Sequence, residues 1–343
     1  MLKLNMSKIE ALYKALAAQQ SLYLPIEKND KVDYWRWAEG EDVRLTVQNT
    51  NKSPKNLFFP QLENMVAFNV EGKSIEIIEQ ELSKEKFVLM GVRACDARAF
   101  AVLDRVFLAE PVDSFYAARR ENGTIVTLAC SAPAKSCFCS VFGIDAANPA
   151  DGDVTTWIVN DEMYWLPRTE KGEKLTESVK DLFAETDDKA VKVEQDRVKK
   201  EIEALPFSGL SLEGFDGEHM KELFGRPEWE SLSEACLGCG TCTFTCPTCQ
   251  CYDIRDYDTG HGVQRYRCWD SCMYSDFTLM AAATNRPTQM QRFRQRFMHK
   301  LVYFPANNEG IYSCVGCGRC LEKCPQSMNI VKVIKALGVK EDA

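Results

Sequence analysis

Residues 236–247 read CLGCGTCTFTCP, and residues 314–325 repeat the pattern as CVGCGRCLEKCP. Each run spaces its cysteines C-x2-C-x2-C-x3-C-P, the arrangement of bacterial-type iron–sulfur ligation. Three thiolates separated by pairs of residues curl onto three corners of an iron–sulfur cube. The fourth, ahead of the proline, ligates the other cube in two-cluster ferredoxins. The spacing therefore predicts two [4Fe–4S] clusters on Cys236, Cys239, Cys242, Cys246, Cys314, Cys317, Cys320 and Cys324. Gly238, Gly240, Gly316 and Gly318 supply the turns, and Pro247 and Pro325 stop each run from continuing as a helix. Zinc sites rarely need a third cysteine in one loop, and disulfide frameworks belong to secreted chains.

Outward from these runs, the 343-residue chain divides into two domains by its length and its cysteine distribution. Four of the sixteen cysteines precede residue 235 and twelve follow it. A punctuated stretch, Leu205-Pro206-Phe207-Ser208-Gly209, marks the boundary. Residues 1–205 read as a mixed α/β domain. Residues 206–343 read as an α-helical ferredoxin-type dicluster domain with an insertion over 249–313, so the whole is α+β. A net charge of −8 argues against nucleic-acid binding. No apolar run approaches the roughly 18 residues of a membrane span. The helical pattern at 7–20 lacks a signal peptide's apolar core, so the chain reads as cytoplasmic. His219, His261 and His299 read as surface or structural residues.

In the N-terminal domain, strand-like runs lie at 42–49, 64–70 and 74–79. Phe87–Met90 is a short apolar strand before a helix over Ala97–Phe107, with Asp96 as its N-cap. A second apolar strand, Thr124–Ala129, ends at Cys130. Cys95 and Cys130 thus follow strand ends, with Cys137 and Cys139 in the next loop. If the strands are parallel neighbours, the four thiols share one crevice, where open α/β sheets place their sites. Spacing alone leaves a third cluster and ordinary buried cysteines both open. Alternation around Asn160-Asp161 predicts a hairpin, and helices are expected over 172–185, 190–204 and 229–235.

The insertion reads as helical over 273–283 and 287–301, and it carries Cys249, Cys251, Cys268 and Cys272. Cys268 and Cys272, four apart on the expected helix, share a face and could close a further cluster with the C-x-C pair. The other reading is free buried thiols, favoured for Cys268. The 277–308 stretch has no carboxylate but holds Arg286, Arg292, Arg294, Arg296 and Lys300. Such a helix suits tuning of a cluster, docking of an acidic partner, or plain solvation.

The strings CLGCGTCTFTCPTCQCY, RCWDSCMYSDF, RPTQMQRFRQRFMHK and YSCVGCGRCLEKCP resemble the β subunit of cytosolic NiFe sulfhydrogenases and an iron–sulfur subunit of anaerobic sulfite reductases. GVRACDARAF and CSAPAKSCFCS carry the resemblance into the N-terminal half, so that it covers most of the chain. It implies an electron-transfer subunit of anaerobic metabolism. Such a subunit stands between two neighbours. One is a flavin- and NAD(P)-binding reductase subunit, and the other is a hydrogenase, sulfite reductase or bifurcating partner. The resemblance also implies a cluster on Cys95, Cys130, Cys137 and Cys139. Cys268 departs from the family, which carries a basic residue there. With no G-x-G-x-x-G, P-loop or G-x-S-x-G string, no flavin or nicotinamide is expected on this chain, which reads as a non-catalytic subunit. The alternative is a redox enzyme acting directly on a sulfur substrate, at the N-terminal cluster or the insertion thiols.

Overall fold

The runs Phe87–Val92 (β6) and Gly123–Leu128 (β7) are buried at every position, as expected for strands covered on both faces. In a computed structural model, which describes residues 1–338, they form the centre of an eight-stranded sheet. The other members are β1 (Leu2–Asn5), β2 (Ser21–Lys28), β3 (Lys31–Arg36), β8 (Val154–Val159), β9 (Glu162–Pro167) and β10 (Ala184–Glu185). The order is β10-β1-β9-β8-β7-β6-β2-β3. β2, β6, β7 and β8 run parallel, and the strands beyond them on either side pair antiparallel. The β8–β9 hairpin turns at Asn160-Asp161, both at positive φ (50° and 59°), as a two-residue loop requires.

One face of the sheet packs Leu12, Leu16, Val126 and Trp165 into a core with the helix Ile9–Ala17. The other packs Phe58, Phe100, Leu103 and Tyr116 from the helices Ala94–Phe107 and Ser114–Asn122 and the loop that ends before Leu62.

A second, four-stranded antiparallel sheet joins β4 (Leu62–Glu71) and β5 (Ser74–Glu79) to β11 (Tyr252–Asp258) and β12 (Gly262–Trp269), in the order β11-β12-β4-β5. Phe68 faces Val263 across it. The cut at 205/206 therefore runs through one sheet.

Several expectations are corrected. The chain is mixed α/β with many strands. Helices around its cysteine loops include Glu228–Ser233, Thr241–Phe244, Gln289–Met298, Arg319–Lys323 and Ile330–Leu337. The first part of the insertion is not helical: 252–269 form a hairpin, and 273–283 are turns around a 3-10 segment at Asp276–Thr278. Only the insertion's last part is helical, Gln289–Met298 passing into a π-turn at His299–Tyr303. The 42–49 run is no strand. It offers its carbonyls to the Arg93 guanidinium, which bonds Leu45 O and Val47 O. The 172–185 segment is a helix only over Glu170–Glu177. Asp96 lies inside the first turn of its helix, whose N-cap position is Arg93.

Candidate metal centre

Gly316 and Gly318 sit at φ +58° and +79°, and a Cβ at either would lie 2.4 Å from Phe138 O or 2.6 Å from Ser136 O. Only glycine permits both the turn and this approach. The loop 314–320 thereby lies directly against the N-terminal loop 136–139, sealed by Phe138 N donating to Gly316 O at 2.9 Å.

In the C-terminal part, Cys236, Cys239, Cys242 and Cys324 line one cavity with Phe293, Arg296 and Phe297. Cys246 faces instead the sulfurs of Cys314, Cys317 and Cys320. Each run thus sends its fourth cysteine to the other. The sulfurs also meet donors: Met328 N to Cys324 Sγ at 3.2 Å, and Gln289 Nε2 to Cys236 Sγ at 3.5 Å.

The N-terminal four come together because β6 and β7 are parallel neighbours. Cys95 lies in the first helical turn after β6. Cys130 follows β7, its N–H bonded to Ala146 O, and Cys139 sits beside both Cys130 and Cys137. Burial pushes the Cys137 thiol up to about 11 and the Cys139 thiol to about 12, and it raises Cys95 as well. Thiolates form in such places only with a compensating cation, and a coordinated metal is one. Between this group and Cys317 stands a buried ion pair. Arg319 Nη1 and Nη2 donate to Asp96 Oδ1 and Oδ2 at 2.6 and 2.7 Å, both residues 1% exposed.

The insertion cysteines divide. Cys251 and Cys272 meet side chain to side chain, and Cys249 meets Cys246. Cys268 stands apart on β12, opposite Asp253 and Leu62. It fails to join because residues 267–269 are strand, not helix. Its neighbour Arg267 points into the core toward Glu63, so alternation turns Cys268 the other way.

Three buried cations show what the sulfurs must balance. Arg296 gives Nη2 to Cys242 O, while its buried Nε and Nη1 find no hydrogen-bond partner. Lys300 Nζ reaches Thr248 Oγ1 and Ser313 O, at 3.0 and 2.9 Å. Burial alone would pull Lys300 down, yet the sulfurs of Cys246, Cys249 and Cys314 hold it above its ordinary value. Lys55, pulled down to about 8 by burial, bonds Cys249 O at 2.8 Å and covers the Trp269 ring at 3.8 Å. Unpaired ammonium and guanidinium groups in a core are costly. A cube with four thiolates is anionic, so the arrangement fits iron–sulfur clusters. Among the described residues no three His, Cys, Asp or Glu side chains close on a single ion. The sequence flagged Arg296 and Lys300. It missed Lys55, and it missed the Asp96–Arg319 pair, whose one signal is a charge beside a motif cysteine at each end.

A 4Fe-4S dicluster domain model matches residues 235–328. Over 337 residues the chain is 32% identical to the sulfhydrogenase 2 subunit beta of Pyrococcus furiosus, covering 97% of this chain and 96% of that protein.

Proposed function

Because the chain belongs to the family of the sulfhydrogenase beta subunit, we propose that it relays electrons between two redox neighbours. One is a flavin- and NAD(P)-binding reductase, and the other is a hydrogenase, sulfite reductase or bifurcating partner. The chain is an iron–sulfur electron-transfer subunit. The observation that carries the route is the seam between the loops 136–139 and 314–320. Near it Cys95 approaches Cys317, which supports passage between the two groups.

When bound, [4Fe–4S] clusters supply one-electron carriage at potentials set by charge, hydrogen bonds to sulfur and exposure. In this reading Cys236, Cys239, Cys242 and Cys324 hold one cluster. Cys246, Cys314, Cys317 and Cys320 hold a second, and Cys95, Cys130, Cys137 and Cys139 a third. Arg296 and Lys300 offset negative charge between the first two sites. Arg319 does so between the second and third, with Asp96 fixing its position. Met328 N and the Gln289 amide donate to sulfur and favour the more negative state. Residues 1–205 then form one end of the relay and 206–343 the other. The flavin and nicotinamide reside on the reductase partner, and the assembly works in the cytoplasm.

Anaerobically purified protein should hold about four irons for each of these three sites, all reducible and visible by EPR. Cys130→Ser should remove about four irons and leave the other two sites reducible. Unchanged iron in Cys130→Ser would defeat the N-terminal station. Clusters that no reduced flavoprotein can fill with electrons would defeat the relay.

A further inference from the structure

We infer that Cys249, Cys251 and Cys272 hold an additional iron–sulfur cluster with three cysteine ligands, one iron lacking a cysteine, and that Lys55 is the buried charge balancing it. The inference rests on the cluster-bearing function proposed above and adds a site to it.

Two loops at the open end of the β11–β12 hairpin build the site. Asp270 N donates to Cys251 O at 3.0 Å, which clamps 249–251 against 270–272. The fully buried Ser271 is held by Thr243 Oγ1 at 2.8 Å, fixing the backbone that carries Cys272. A third wall comes from the N-terminal half, where Lys55 bonds Cys249 O and Trp269 Nε1 bonds Phe59 O at 3.1 Å. Cys251 and Cys272 touch side chain to side chain and Cys249 lies near Cys272, so three thiols from two loops gather near the buried Lys55 ammonium.

No fourth cysteine is on hand. Cys268 is removed by strand alternation. Cys246 touches Cys249 but also faces Cys314, Cys317 and Cys320, which need it. A mononuclear zinc site takes four protein ligands when structural, and only three thiols gather here. Neutral thiols would leave Lys55 buried beside a carbonyl and a ring, with no carboxylate bonded to it among the described residues. An anionic three-thiolate cluster supplies that counter-charge. An iron without a cysteine is also the one most easily lost, leaving a three-iron centre.

The test compares iron, zinc and acid-labile sulfide in the full chain, purified anaerobically, with Cys272→Ser, Cys249→Ser and Cys268→Ser variants. Cys272→Ser and Cys249→Ser should each lose about four irons, and Cys268→Ser none. Mild oxidation should produce a three-iron EPR signal in the parent and in Cys268→Ser, absent from Cys272→Ser. Circular dichroism identifies any variant that fails to fold, and the oxidation experiment on the parent stands without variants. Iron unchanged in Cys272→Ser, loss of zinc instead of iron, an equal loss in Cys268→Ser, or no three-iron signal in the parent would each overturn the proposal. If the wider cluster-bearing function were at fault, Cys239→Ser and Cys130→Ser would leave iron unchanged as well.

Discussion

The two ends of this molecule gather their cysteines by opposite means. In the C-terminal part, each group starts from three cysteines within seven residues, and the backbone turns bring them round almost unaided. In the N-terminal part, Cys95, Cys130, Cys137 and Cys139 spread over 45 residues and meet only because β6 and β7 lie parallel and adjacent. Local spacing makes the first kind robust to changes elsewhere. The second depends on the sheet, so damage to the sheet should register there first.

The sharpest way to break that contrast is at the seam, where both kinds meet. Gly316→Val puts a branched side chain at φ +58° with its Cβ against the Phe138 carbonyl. A loss of more than about 4 kcal/mol is expected, read as aggregation or a collapsed melting temperature. Asp96→Ala should follow, at about 3–5 kcal/mol, because it leaves the Arg319 guanidinium buried without its carboxylate. Asp96→Asn, which keeps the side chain's volume and one acceptor but not its charge, should cost less, and equal losses would show that charge and not packing matters there.

Leu89→Ala tests the sheet itself. Leu89 is fully buried in β6, and its truncation should cost about 2–4 kcal/mol. Iron at the N-terminal group should fall before iron at the C-terminal eight; equal losses would erase the distinction between the two constructions.

The smallest effect expected is a pH dependence confined to the C-terminal part. Burial, helped by the Lys300 charge, pulls His299 down to about 4 from its ordinary 6.5. Below about 6.5 the unfolded chain therefore binds a proton that the folded chain refuses. Stability should be full above that pH and decline as pH falls toward about 4. Melts at pH 7 and 5 should show a smaller drop in His299→Leu than in the parent.

What was readable in the sequence follows the same contrast. The two cysteine runs were legible because their meaning lies in spacing of a few residues. The parallel strands β6 and β7 were legible as unbroken apolar runs, and the hairpin at Asn160-Asp161 by its turn pair. The hairpin 252–269 was not read, since charged and aromatic residues alternate on exposed strands with little apolar signal. That miss placed Cys268 on a helix it does not have. The apolar MYSDFTLMAAA, residues 273–283, resembles a helix in composition, but Leu279 and Met280 are exposed and of the stretch only Met273 is buried. Asp96 imitated a cap because short-range reading cannot see Arg319, 223 residues away.

The four-stranded sheet sets an order of events in time. β4 and β5 leave the ribosome nearly two hundred residues ahead of β12, the strand that pairs with β4. Until then β4 presents a free row of backbone donors and acceptors beside Val66, Phe68 and Val70, a surface open to any passing strand. The first half of the chain is therefore a nascent polypeptide that stays adhesive until its second half arrives. A gene split at residue 205 would make that passing exposure permanent.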